Sequence, residues 1–226
     1  MTNELEKITL TEDAAYQART PHPQSPSLRS PPAPAGEGAS ESLRGLHVSE
    51  TIIAATQDWL EKAVIGLNLC PFAKVVHVKK QVRYVVSPAT TEEALLDALL
   101  AELRHLQDTD SEVLDTTLLI HPYVLTDFLD YNDFLDTVDI ATAEAEFGDA
   151  FQVASLHPHY QFAGTALDDI ENYTNRSPYP TLHLLREASV DRAVDAFPDA
   201  DRIPDNNIET LNRLGHAGWA KLGLPE

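Results

Sequence analysis

A single cysteine, Cys70, occurs in 226 residues, which rules out an internal disulfide and the cross-linked framework of small secreted domains. Long apolar runs are missing as well; no stretch approaches the roughly 20 residues that a membrane-crossing helix needs. Basic side chains are scarce, with 16 Lys and Arg against 36 Asp and Glu and a net charge of -20. The first 48 residues hold only six of the acids and four of the bases, so the imbalance belongs to residues 49–226. Nucleic acid is not an expected partner, because displacing its counterions takes a clustered cationic surface. Here the densest basic run is Lys79 and Lys80 with Arg83. An anionic membrane would be repelled for the same reason. The start of the chain carries Glu4, Glu6, Glu12 and Asp13 and no apolar core, unlike a secretory leader or a transit peptide. Cytoplasm is therefore the expected compartment.

What is present divides at about residue 48. Residues 1–48 read as a disordered tail, with Pro21, Pro23, Pro26, Pro31, Pro32 and Pro34 set among Ser, Ala and Gly. Such a segment buries too little apolar surface to offset the entropy of ordering it. Residues 49–226 read as one α/β domain, long enough for a sizeable core. Ile52, Trp59, Leu60, Ala63, Val64 and Leu67 recur at helical spacing behind Ser49 as N-cap, and Gly66 and Asn68 mark the end. Cys70 then precedes Pro71, where a short helical turn would start. A capping thiol there would face the positive end of a helix dipole and ionise more readily.

Three strands come next, each ending alike: VVSP, LLIHP and ASLHP. They are placed at 81–86, 115–120 and 151–156. Their prolines, at 88, 122 and 158, are 34 and 36 residues apart, and a helix fills each interval. That is the size of a strand–helix–strand unit, whose crossover places strands parallel. The first helix starts at a Thr90–Glu93 capping box and carries a leucine stripe from Leu95 to Leu106. The second turns Phe128, Leu129, Leu135 and Val138 inward and Asp127, Asp130, Asp133 and Asp136 outward. Ser87, His121 and His157 should then share the edge where open α/β sheets bind ligands. A fourth strand is expected at 181–186, a helix behind Ser189, and a last helix around Ile208, Leu211 and Leu214. The expected fold is a mixed four-stranded sheet packed by helices.

Between strands three and four runs a long polar connection with His157, His159, Tyr160, Asn172, Asn175, Arg176 and Tyr179. Connections of that length in a compact domain usually carry function. The main expectation is a small-molecule enzyme of hydrolase or transferase type. Cys70 would attack, His121 or His157 would serve as base, and Asn172 or Asn175 would orient the imidazole. His159, Tyr160, Arg176, Tyr179, His183 and Arg186 would hold the substrate, Arg176 by paired hydrogen bonds to an anion. A second reading is a metal site on His157, His159 and His121, since imidazoles suit several transition metals. A third is a domain that binds a ligand or protein without catalysis, its polar residues merely pinning the loop.

The stretches WLEKAVIGLNLCPFAK, TTLLIHP, FLDYNDFLD, FQVASLHPHYQFAG and NYTNRSPYPTLHLLREASVDRAV, taken together, resemble the bacterial family called domain of unknown function 1415. The likeness covers about Thr51 to Trp219. It implies a bacterial cytosolic protein and assigns no catalytic residue.

Overall fold

The computed structural model describes residues 38–197 and 199–224, with side chains from residue 45 onward. Of the tail expected over 1–48, residues 1–37 lie outside the described residues. Helix α1 (Gly38–Trp59) begins ahead of the expected N-cap, so Ser49 lies inside it. Ile52, Thr56 and Trp59 form its buried face. The helix passes without interruption into a π-helical turn, Leu60–Ile65. There Gly66 N–H reaches Glu61 O and Leu69 N–H reaches Val64 O, each across five residues. A Cβ on Gly66 would lie 2.3 Å from Lys62 O, so only glycine fits. Asn68, with φ of 57°, then turns the chain through the left-handed region.

Helix α2 (Ala73–Val78) leads to β1 (Val82–Val86), α3 (Glu92–Asp108), β2 (Thr116–Ile120), α4 (Phe128–Glu144) and β3 (Phe151–Leu156). A 3-10 turn (Ile170–Thr174) interrupts the long connection to β4 (Thr181–Arg186), and α5 (Glu187–Asp195) and α6 (Ile203–Ala220) complete the chain. The sheet order is β1-β2-β4-β3. β1 and β2 are parallel, and β4 runs antiparallel to both β2 and β3. β1, β2 and β3 therefore all point one way, although the returning strand separates the last two.

Helices cover both faces, as a sheet apolar on both sides demands. On one face Val85, Leu119, Phe151, Val153, Leu182 and Leu184 pack against α3 and α4. Leu95, Leu99, Leu103 and Leu106 of α3 are fully buried there, each contributing about 2 kcal/mol by removal from water. On the other face Val82, Tyr84, Leu118 and Leu156 meet Trp59, Leu60, Ala63, Val64, Cys70 and Trp219.

Local details differ from expectation in three places. Thr91, not Thr90, caps α3, its hydroxyl accepting from Ala94 N–H. The inward side of α4 is Tyr131, Phe134 and Val138, leaving Leu129 at the surface, because Asp127 sets the helical register by capping. α5 starts directly at Glu187, and Ser189 instead donates to Asp115. No helix among the described residues is long and apolar enough to cross a membrane.

Candidate functional site

Because β1, β2 and β3 share a direction, Ser87, His121 and His157 follow their carboxyl ends on one rim. The register Val86↔Ile120 makes Ser87 and His121 neighbours, and Leu156↔Thr181 brings in the start of β4. His121 N–H donates to Pro180 O and His157 N–H to Asn175 O, which ties both strand ends to the long connection.

Both imidazoles are buried, and both lie against Tyr131 of α4. Ring centroids are 5.6 Å apart for His121 and 5.1 Å for His157. Tyr131 OH donates to Thr181 O (2.9 Å) and accepts from Leu156 N–H (3.1 Å), bridging β4 and β3. Burial pushes this phenol well above its ordinary range. Sequence reasoning missed Tyr131; the only signal was its place on the apolar face of the helix.

The partners fix each ring's tautomer. His157 Nδ1 accepts from His159 N–H (3.0 Å), so Nε2 carries the proton and donates to Leu125 O (3.3 Å). His121 Nδ1 faces Val124 O (3.0 Å), a group that can only accept, so Nδ1 carries the proton. Its Nε2 is then a bare lone pair, buried and without a partner among the described residues. Trp59 Nε1, Tyr84 OH and Thr117 Oγ1 are also buried and unpartnered there. Burial lowers both imidazoles to about 4, so both are neutral at pH 7. The two rings thus hold successive carbonyls of the turn between β2 and α4. Leu125 in that turn has φ of 55°, which costs a branched side chain about 1–2 kcal/mol.

The turn forms a wall of two open clefts. The first, about 480 Å³, is lined by Thr90, Thr91, Glu92 and Glu93 at the start of α3 and by Val124, Leu125, Thr126, Asp127 and Asp130. The second, also about 480 Å³, shares Thr126 and Asp127 and adds Phe128, Leu129, His159, Gln161 and Leu167. Asp127 caps α4 through Leu129 N–H (2.8 Å) and Asp130 N–H (3.3 Å).

The remaining expected site residues divide sharply. Asn172, fully buried, accepts from Phe162 N–H and Thr165 Oγ1 and donates to Ala166 O. Asn175 Nδ2 donates to Ser155 O, so neither amide reaches an imidazole side chain. Arg176 donates to Tyr160 O and Leu167 O and lies 4.5 Å over the Tyr173 ring. Tyr160 is packed between Phe128 and Phe162. Tyr179 uses its carbonyl to hold Ser177 and Thr181. These contacts hold the connection to itself and to β3.

His183 sits in mid-strand on the opposite face, opposite Leu118 and Ala154, with Nε2 at 2.8 Å from Thr116 Oγ1. Arg186 lies at the other end of the sheet. It donates to Leu106 O, Thr109 O and Leu114 O around the carboxyl end of α3, a favourable place for a cation. Cys70 packs in the second cluster, on the face away from Tyr131 and both rim imidazoles. Burial pushes its thiol up, outweighing the backbone N–H groups of Phe72 and Ala73. The expected activation by capping is reversed, because desolvation disfavours the thiolate more than the short turn favours it. His157 and His159 have ring centroids 5.8 Å apart, but both nitrogens of His157 are engaged. Among the described residues, no three His, Cys, Asp or Glu side chains gather to hold a metal ion.

The fold and rim together define a three-layer α/β protein with an open, acid-lined crevice at the carboxyl ends of its strands. The model of the family described as Protein of unknown function (DUF1415) matches residues 51–221, and the chain belongs to that family. Comparison with curated proteins and with solved structures returns no match.

Proposed function

We propose that the protein binds a small molecule in the paired clefts at this rim and transforms it, as an enzyme of hydrolase or transferase type. One observation carries the reading: two clefts of about 480 Å³ meet at Thr126 and Asp127, where three strands deliver their carboxyl ends. That is where open α/β sheets place ligands. His159 is an exposed imidazole in the second cleft, and its ring could donate or accept a proton there. Asp127 lies at the junction of the clefts. Cys70 has no part in this reading, since it packs on the other face.

A second reading, binding without turnover, is supported by the way Asn172 and Arg176 bond the loop's own backbone and Asn175 bonds that of β3. A metabolite screen by thermal stabilisation tests both. A compound that raises Tm in the wild type, and does so much less in Thr126→Val and His159→Ala, is expected. Hits that both variants retain in full would remove the rim as the site. Turnover of a hit separates enzyme from binder.

A further inference from the structure

We infer that the outer edge of β3 is an interface at which two copies of this chain pair antiparallel about a two-fold axis at Val153, joining their sheets into one. The inference is independent of what the rim binds. β3 stands last in the sheet order β1-β2-β4-β3, with a neighbour on one side only. Which of its backbone groups face outward follows from the register. Ala150 O accepts from Glu187 N–H (3.0 Å), one step before the Phe151↔Arg186 pair. Bonded and non-bonded pairs alternate along an antiparallel ladder. Gln152, Ala154 and Leu156 therefore turn their N–H and C=O toward β4, and Phe151, Val153 and Ser155 turn theirs away. Two of the outward groups are occupied: Phe151 N–H donates to Phe147 O (2.9 Å), and Ser155 O accepts from Asn175 Nδ2 (3.4 Å). Phe151 O, Val153 N–H, Val153 O and Ser155 N–H have no partner among the described residues.

These free groups are complementary to themselves. A two-fold axis at Val153 sets each Val153 opposite its counterpart and each Phe151 opposite Ser155 of the second copy. Val153 N–H then donates to Val153 O in both directions, and Ser155 N–H to Phe151 O in both directions. The remaining bond of such a ladder, Phe151 N–H to Ser155 O, is the one whose two ends the chain already satisfies by itself. A strand of another protein would use the same groups, but their two-fold relation favours a second copy. β3 also lacks the devices that protect a sheet edge: FQVASL holds no proline and no charge, and its register runs without a bulge. β1, the other edge, carries Arg83 and follows Lys79 and Lys80. The net charge of -20 opposes association, but not along this seam. Asp149, the one charged residue between 148 and 158, falls opposite His157 across the axis, so no acid meets an acid. Exposed Gln152 falls opposite Ala154, a small side chain that leaves it room.

Sedimentation velocity of the full chain over a wide concentration range tests the inference, with hydrogen exchange read at single amides to place the interface. A monomer–dimer equilibrium is expected, tightening as salt screens the like net charges. Val153 and Ser155 amides should exchange slowly in concentrated solution and fast on dilution, while Phe151 N–H, bonded within its own chain, changes little. Val153→Pro removes a donor that β4 does not use, so it should weaken the dimer by about tenfold or more and keep the circular dichroism of the wild type. If that variant does not fold, the amide exchange of the wild type decides alone. A dimer whose Val153 and Ser155 amides exchange alike in dilute and concentrated solution would overturn the inference, as would a folded Val153→Pro that dimerises undiminished. A chain monomeric at every concentration would also overturn it and leave the edge to a strand of another protein. None of these outcomes involves Thr126 or His159, so the rim reading stands or falls separately.

Discussion

The two ends of the sheet treat their polar groups in opposite ways. At one end the guanidinium of Arg186 turns toward the carboxyl end of α3, with three carbonyls gathered around it. At the other, two imidazoles flank Tyr131, and one of their four ring nitrogens is left with no partner among the described residues. The imidazoles are fully buried and Arg186 only partly. The difference is in completeness. Arg186 commits Nε and Nη2 to carbonyls, whereas His121 Nε2 meets no partner among the described residues.

That contrast can be broken at the Arg186 end first. Arg186→Met keeps the apolar stem but removes the donor to three carbonyls, and should lower unfolding free energy by about 2 kcal/mol in urea titration. A loss no greater than that of an exposed arginine would mean the clamp is ornamental. Tyr131→Phe comes next. It removes one hydroxyl but strands both Thr181 O and Leu156 N–H, so about 2 kcal/mol should be lost.

The two histidines give a matched pair. Asparagine reproduces Nδ1 and deletes Nε2 at either position. His157→Asn breaks the bond to Leu125 O, whereas His121→Asn breaks none, so the first should cost about 1 kcal/mol more than the second. Equal losses would show that His121 Nε2 has a partner after all. The pH dependence is finer still. In the unfolded chain an imidazole titrates near 6.5, but in the fold both rings are lowered to about 4. Between those values the unfolded state binds protons that the native state refuses. Stability is therefore complete above about pH 6.5 and falls as pH drops toward 4. Each substitution should flatten that fall, read from denaturation midpoints at pH 7 and 5. The smallest effect expected is kinetic: at pH 7 Cys70 should react with a disulfide reagent more slowly than free cysteine, since burial raises its pKa.

The topology was legible because strand endings repeat. Three X-Pro stops at regular spacing, each interval holding a helix, forced three parallel strands and one shared rim, and the structure has them. The insertion of β4 between β2 and β3 was not legible, since nothing local distinguishes an inserted strand from an edge strand. Polar residue types located the rim but not their roles. His121 and His157 read alike in sequence, each following a strand and preceding a proline. What separates them is which carbonyl and which N–H the surrounding backbone presents, a matter settled by the turn at Leu125 and by His159. Asn172 and Asn175 look catalytic by residue type and Arg176 anion-binding; in the structure Asn172 and Arg176 bond the backbone of the connection and Asn175 that of β3. Cys70 was assigned to the wrong side because a cysteine before a proline fixes a turn and says nothing about which sheet face that turn covers.

The hydroxyl of Tyr131 also has a practical use. It fastens a helix to two strands at a single point, and the amide hydrogen of Leu156 is one of the two bonds in that fastening. Deuterium uptake at that one amide is accordingly a gauge of whether α4, whose first turn borders both clefts, stays clamped to the sheet or lifts from it when the crevice is filled.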